Sequence, residues 1–121
     1  MNNSIEELSE LIRFQIDNLE GMKTKLKERS HRKAQAIANY DKSLALTIIE
    51  IRNGKGVTVD GKLITDTGVS LADKLAKGAC YQQRLEMEVA EAEYKSLIAA
   101  IEVTKAQLNG LQSINRHLDT I

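Results

Sequence analysis

No proline interrupts this chain of 121 residues. Proline stops helices because it has no N–H to donate and its ring clashes with the preceding turn. Without it, the first half of the chain is free to run as one helix, and its apolar residues take that form. Ile5, Leu8, Ile12, Leu19, Met22 and Leu26 fall on heptad a and d positions, and the polar Gln15 fills the remaining d. That spacing buries one narrow seam. The seam turns polar after Leu26 and resumes as Ile37, Tyr40, Leu44, Ile48 and Ile51. At the start, Ser4 and Glu7 have the capping-box spacing, in which each side chain satisfies the other's free backbone N–H. The pattern predicts a helix over about residues 4–52.

Asn53, Gly54 and Gly56 end it, since Asn and Gly accept the left-handed conformation that closes helices. A glycine-rich connector over about residues 53–69 follows. Within it Asp60–Gly61 is a type I′ turn dipeptide between Val57, Val59, Leu63 and Ile64, which predicts a small β-hairpin. An isolated hairpin is marginal in water and must pack on something. A second helix is expected over about 70–119, started by a Ser70–Asp73 capping pair. Its regular seam is Tyr94, Leu97, Ile101, Thr104, Leu108, Leu111, Asn115 and Leu118. The earlier part is less regular, with Leu71, Leu75, Ala79, Leu85 and Val89. Gly78 costs about 1 kcal/mol against alanine inside a helix, so a short helix followed by a long one is the alternative there. The fold class is all-α: two long amphipathic helices folded back as an antiparallel, coiled-coil-like hairpin in one domain over 1–121.

Composition agrees with helices packed at short distance. Aromatics are 3% of the chain, and the apolar material is Leu, Ile, Ala and Val. The 17 basic and 17 acidic residues balance, so no global charge drives the chain towards nucleic acid or anionic lipid. No apolar run approaches a bilayer span, and the acidic, polar start MNNSIEELSE is unlike a signal peptide. The single cysteine, Cys80, has no partner for an internal disulfide. A cytoplasmic protein without membrane contact is expected.

A second apolar stripe accompanies each seam: Leu11, Phe14 and Ile16 on the first helix, and Ile98, Ile114 and Ile121 on the second. A two-helix hairpin cannot cover both, and exposed apolar patches mark interfaces. A homo-oligomeric bundle is the simplest cover. Gln15, Thr104 and Asn115 place polar groups on the seams; such residues either fix register at a cost in stability or reach solvent.

Chemistry-bearing constellations are scarce, and no enzyme, cofactor or metal is expected. His31 and His117 lack companions at ligand spacing. Cys80 has no activating neighbour in sequence and reads as a small core thiol. Gly54-Lys55-Gly56 lacks the remaining spacing of a phosphate loop. Glu86, Glu88, Glu91 and Glu93 read as a solvated face. The sharpest electrostatic feature is the run 23–33, where Lys23, Lys25, Lys27, Arg29, Arg32 and Lys33 oppose only Glu28, six positive charges against one negative. Such a run suits weak, non-specific contact with phosphates, and without interleaved aromatics it does not indicate base stacking. Folding back would also set it near Glu91 and Glu93, where the charges pair instead. A protein partner would meet the connector tip at Val57, Val59, Asp60, Gly61 and Leu63.

The segments LAKGACY, AEAEYKSL and QLNGLQSINRHL, with a looser match in RKAQAIANYDKSLALTIIEIRNGKG, resemble small helical proteins of tailed bacteriophages and prophages. The resemblance spans about two thirds of the chain. Such proteins are often encoded beside phage single-strand annealing and single-strand-binding proteins. The resemblance therefore implies an accessory role in DNA recombination or replication in the bacterial host cytoplasm, and it transfers no catalytic residue. Small phage proteins also include inhibitors of host defence, such as anti-CRISPR proteins, which act by protein binding.

Overall fold

The computed structural model describes residues 2–65, 68 and 71–119. In chain order the elements are helix α1 (Asn2–Arg52), strands β1 (Val57–Val59) and β2 (Lys62–Ile64), and helices α2 (Ala72–Ala79) and α3 (Tyr81–Asp119). The chain divides into two compact units, Met1–Ser30 with Glu93–Ile121, and His31–Ala92.

In the first unit α1 and α3 run antiparallel along the heptad seams. Three cross-helix contacts set the register: Gln15 with Gln107, Met22 with Thr104, and Arg29 with Glu93. Leu8, Leu97, Ile101 and Thr104 are buried, while Ile12, Gln15, Leu19, Met22, Leu26, Tyr94, Leu108, Leu111 and Asn115 are half-buried. The buried Thr104 hydroxyl is satisfied within its own helix, donating to the Ala100 carbonyl at 2.9 Å, and lies 3.6 Å from Met22 Sδ. Gln15 is less well served. Its Nε2 reaches Gln107 Oε1 only at 3.4 Å, and its own Oε1 is buried without a hydrogen-bond partner among the described residues. At the end of the seam Ile5 and Leu118 are exposed. Ser4 is not the helix cap, because α1 already includes Asn2. The capping-box spacing of Ser4 and Glu7 therefore lies within the helix, where the Glu7 N–H that a capping serine would accept from already belongs to the i→i−4 ladder.

The second unit is a small mixed core. α1 closes on a Schellman motif: Gly54 takes φ +82°, its N–H bonds the Ile51 carbonyl at 3.1 Å, and Lys55 N–H bonds the Glu50 carbonyl at 3.0 Å. This satisfies orphan carbonyls at the helix end. The hairpin then pairs Val57 with Ile64, Thr58 with Leu63 and Val59 with Lys62. Asp60 (φ +51°) and Gly61 (φ +74°) both adopt positive φ, as a type I′ turn requires. Period-two alternation turns Val57, Val59 and Ile64 onto the core and leaves Thr58 and Leu63 outside. The core joins Leu44, Ile48 and Ile51 of α1 to those strand residues and to Ala72, Leu75, Ala76 and Ala79 of α2. α2 approaches closely because its inward side chains are methyls: Ala72 and Ala76 are 1% and 0% exposed.

A Cβ at Gly78 would lie 3.6 Å from Val59 Cγ1, an ordinary van der Waals contact, so the packing leaves room for alanine there. The helix over 70–119 is broken two residues after Gly78, which is the alternative of a short helix followed by a long one. Cys80 leaves helical geometry at φ −95°, ψ 21°, caps α2 through its N–H to the Ala76 carbonyl, and α3 starts afresh at Tyr81. Of the irregular set, Leu71, Leu85 and Val89 are exposed. The inward positions of early α3 are Gln83, Met87 and Ala90, which continue the a/d phase of Tyr94 and Leu97 backwards along the helix. The Ser70–Asp73 cap lies outside the described residues. Gly61→Val is expected to cost the hairpin about 2 kcal/mol, since a side chain in left-handed geometry clashes with the following carbonyl. Faster amide exchange across the Val57–Ile64 pair would report the loss.

Candidate interaction surfaces

The basic run does not act as one surface. Arg29 follows Leu26 by three residues and so takes the next d position, facing across the seam. There its guanidinium donates to the Glu93 main-chain carbonyl at 2.9 Å in a part-buried setting. The expected pairing of this run with glutamate carboxylates is replaced, at Arg29, by a bond to the backbone. A carbonyl keeps a second lone pair beyond its helical bond, so it can accept without loosening α3. Lys23, Lys25 and Lys27 are exposed. Lys23 lies 3.5 Å from the exposed Glu20, a solvent-screened contact of small weight. Lys25 and Lys27 make no hydrogen bond or ion pair among the described residues. Lys23 and Lys27 share a side of α1, one turn apart, and Lys25 faces elsewhere. In the second unit Arg32 is exposed and Lys33 half-buried.

The connector presents a formed hairpin. Val57 is buried and Val59 half-buried against the core, so neither is available to a partner. Asp60, Gly61 and Leu63 are exposed, and Leu63 is 67% exposed. The Leu63 side chain folds over Gly56, where a Cβ would meet it at 2.7 Å.

Cys80 is buried, with its Sγ 3.4 Å from the Thr47 hydroxyl. His31 is exposed. Glu88 accepts from Arg84 Nε at 3.2 Å, Glu86 is exposed, and Glu91 and Glu93 are half-buried. No group of three metal-ligating side chains comes together among the described residues. No helix among them is long and apolar enough to cross a membrane.

The apolar surface is more extensive than the two stripes read from the sequence. In the first unit Ile5, Leu11, Phe14, Ile16, Ile98, Val103, Ile114 and Leu118 are all exposed. In the second, Leu46 and Ile49 stand on the outer side of α1, and Tyr81, Leu85 and Val89 recur every four residues on α3. Ile121 lies outside the described residues. The α3 stripe was legible as i, i+4 spacing, but that spacing also fits an inward face; the a/d phase carried back from Tyr94 and Leu97 through Ala90, Met87 and Gln83 leaves Leu85 and Val89 outside. No protein-family model, curated protein or solved structure matches the chain.

Proposed function

We propose that the protein is a non-catalytic, homo-oligomeric helical scaffold that assists DNA recombination or replication in a tailed phage or prophage. It works in the bacterial host cytoplasm through protein contacts, with a subsidiary contact of lysines on the DNA backbone. The observation that carries the reading is uncovered surface. In the first unit alone Leu11, Phe14, Ile16, Ile98, Val103 and Ile114 are exposed, and contiguous exposed apolar side chains mark an interface. The resemblance of the LAKGACY, AEAEYKSL and QLNGLQSINRHL segments to phage proteins encoded beside annealing proteins supplies the biological setting.

For DNA, the supporting residues are Lys23, Lys25 and Lys27, with Arg29 withdrawn by its bond to the Glu93 carbonyl. Reversing the three lysines to glutamate is expected to weaken binding to single- and double-stranded DNA alike, by tenfold or more. The slope of log affinity against log salt should fall by about two to three. A salt-dependent shift assay on the full chain reads both. If wild type and variant behave alike, the DNA contact is removed. The second reading then takes precedence: an inhibitor that occupies a host antiviral protein through the hairpin, whose outward Leu63 is the most exposed large apolar side chain described.

A further inference from the structure

Two helix-interior glycines of the first unit have no internal reason to be glycine. A Cβ at Gly21 or Gly110 would meet nothing within 4 Å. Each costs helix stability against alanine, and neither takes positive φ. Both occupy the same heptad position, one on each helix of the hairpin. Gly21 immediately precedes Met22 and Gly110 immediately precedes Leu111, which makes both heptad c residues. Phe14 and Val103 are the c residues one heptad away on the same two helices, and they are 65% and 57% exposed.

The register set by Gln15–Gln107 and Met22–Thr104 brings these four into two levels. Phe14 stands level with Gly110, and Gly21 with Val103. Each level therefore carries one large apolar side chain and one bare backbone. A level further, Glu7 stands opposite His117, an acceptor against a donor. The adjoining g positions repeat the matching. Leu11 is level with Ile114, and Asn18 with Gln107. In an antiparallel pair the g positions of both helices fall on the same side of the seam. These residues thus form one continuous face, with its c rows at the margins.

We propose that this face is the homodimer interface, occupied by the same face of a second copy of the chain. A two-fold axis parallel to the helices lays α1 of one copy on α3 of the other at unchanged level. Phe14 then enters the hollow over the partner's Gly110, and Val103 the hollow over the partner's Gly21. Leu11 meets Ile114, and Asn18 meets Gln107. Knob meets hollow and amide meets amide at each level, so the face complements itself. At these levels the c and g positions of the face (Leu11, Phe14, Asn18, Gln107, Gly110 and Ile114) carry no charge, Arg13 and Asp17 falling at b and f, so a strongly basic or acidic partner would find no counter-charge there. The glycines are then explained by close approach of another chain. The inference rests on the homo-oligomeric reading above and assigns its face.

The test is sedimentation equilibrium of the full chain over a range of concentrations. Gly110→Leu has room in the protomer and favours helix, so it leaves the fold intact; it is expected to weaken the dimer tenfold or more. Phe14→Glu should do the same. The reciprocal double variant Phe14→Gly with Gly110→Phe should restore association, because large still meets small. Ile16→Glu, on the opposite flank of α1, should leave the dimer unchanged. An oligomer insensitive to Gly110→Leu, or one lost through Ile16→Glu, overturns this face and leaves self-association standing. A wild-type chain that stays monomeric at every concentration overturns both.

Discussion

Ala76→Leu is expected to cost the chain about 3 kcal/mol of folding free energy, a large share of what a small protein has. Ala76 is 0% exposed, beside Ala72 at 1%, in the core where α2 meets α1 and the hairpin. Three added carbon atoms have no void to enter. Either the leucine leaves its rotamer minimum or α2 lifts from Val57 and Ile51, and lifting uncovers the hairpin that depends on α2 for burial. Urea denaturation reads the loss as a lower midpoint. Amide exchange should place it in residues 31–92, with the seam near Leu97 less affected. The same change at Ala45, exposed on α1, is expected to be neutral or slightly stabilising, because leucine and alanine are both good helix formers. Equal effects at the two positions would show that Ala76 is not packed as described.

Ile101→Ala is expected to cost about 3 kcal/mol, from lost transfer energy and the cavity left between two helices. Ile101 is 6% exposed and sits one turn from Leu97 and three residues from Thr104, so it stands at the centre of the most closely covered stretch of seam. Two helices have few neighbouring side chains able to collapse into the gap. Ile98→Ala, three residues away but 37% exposed, is expected to change stability far less. Thermal unfolding followed by circular dichroism separates the two, and a mild effect at Ile101 would move the seam away from it.

Much of the first unit was legible because a heptad repeat is local information. The spacing of Leu8, Leu26, Leu97 and Ile101 states both that the segments are helical and which side is covered. The hairpin turn was legible for a similar reason, since Asp60–Gly61 names its own backbone conformation. Arg29 was also open to that logic, standing three residues after Leu26 at a d position, but reading charge as a run concealed its place on the seam. The run of six cations resolved into separate fates: an arginine bonded to a carbonyl, a half-buried Lys33, and exposed lysines on different sides of α1.

Other features were not legible. Gly78 signalled the interruption that gives a short helix followed by a long one, but the break itself falls two residues later, at Cys80. Ser4 carried a cap signal that the helix overruns, since a capping pair also fits inside a helix that starts earlier. Leu85 and Val89 had the spacing of a buried stripe and lie outside.

By itself, then, the sequence determined the helical class, the two seams, the closing glycine of α1 and the turn of the hairpin, all of which depend on residues within a turn or two of one another. Only the tertiary structure decided that the chain forms two units, that methyl side chains at 72 and 76 carry the second core, where α2 ends, and which apolar residues stay uncovered. Those outcomes depend on which distant surface arrives against a given face, and periodicity states that a face is apolar without stating what will meet it.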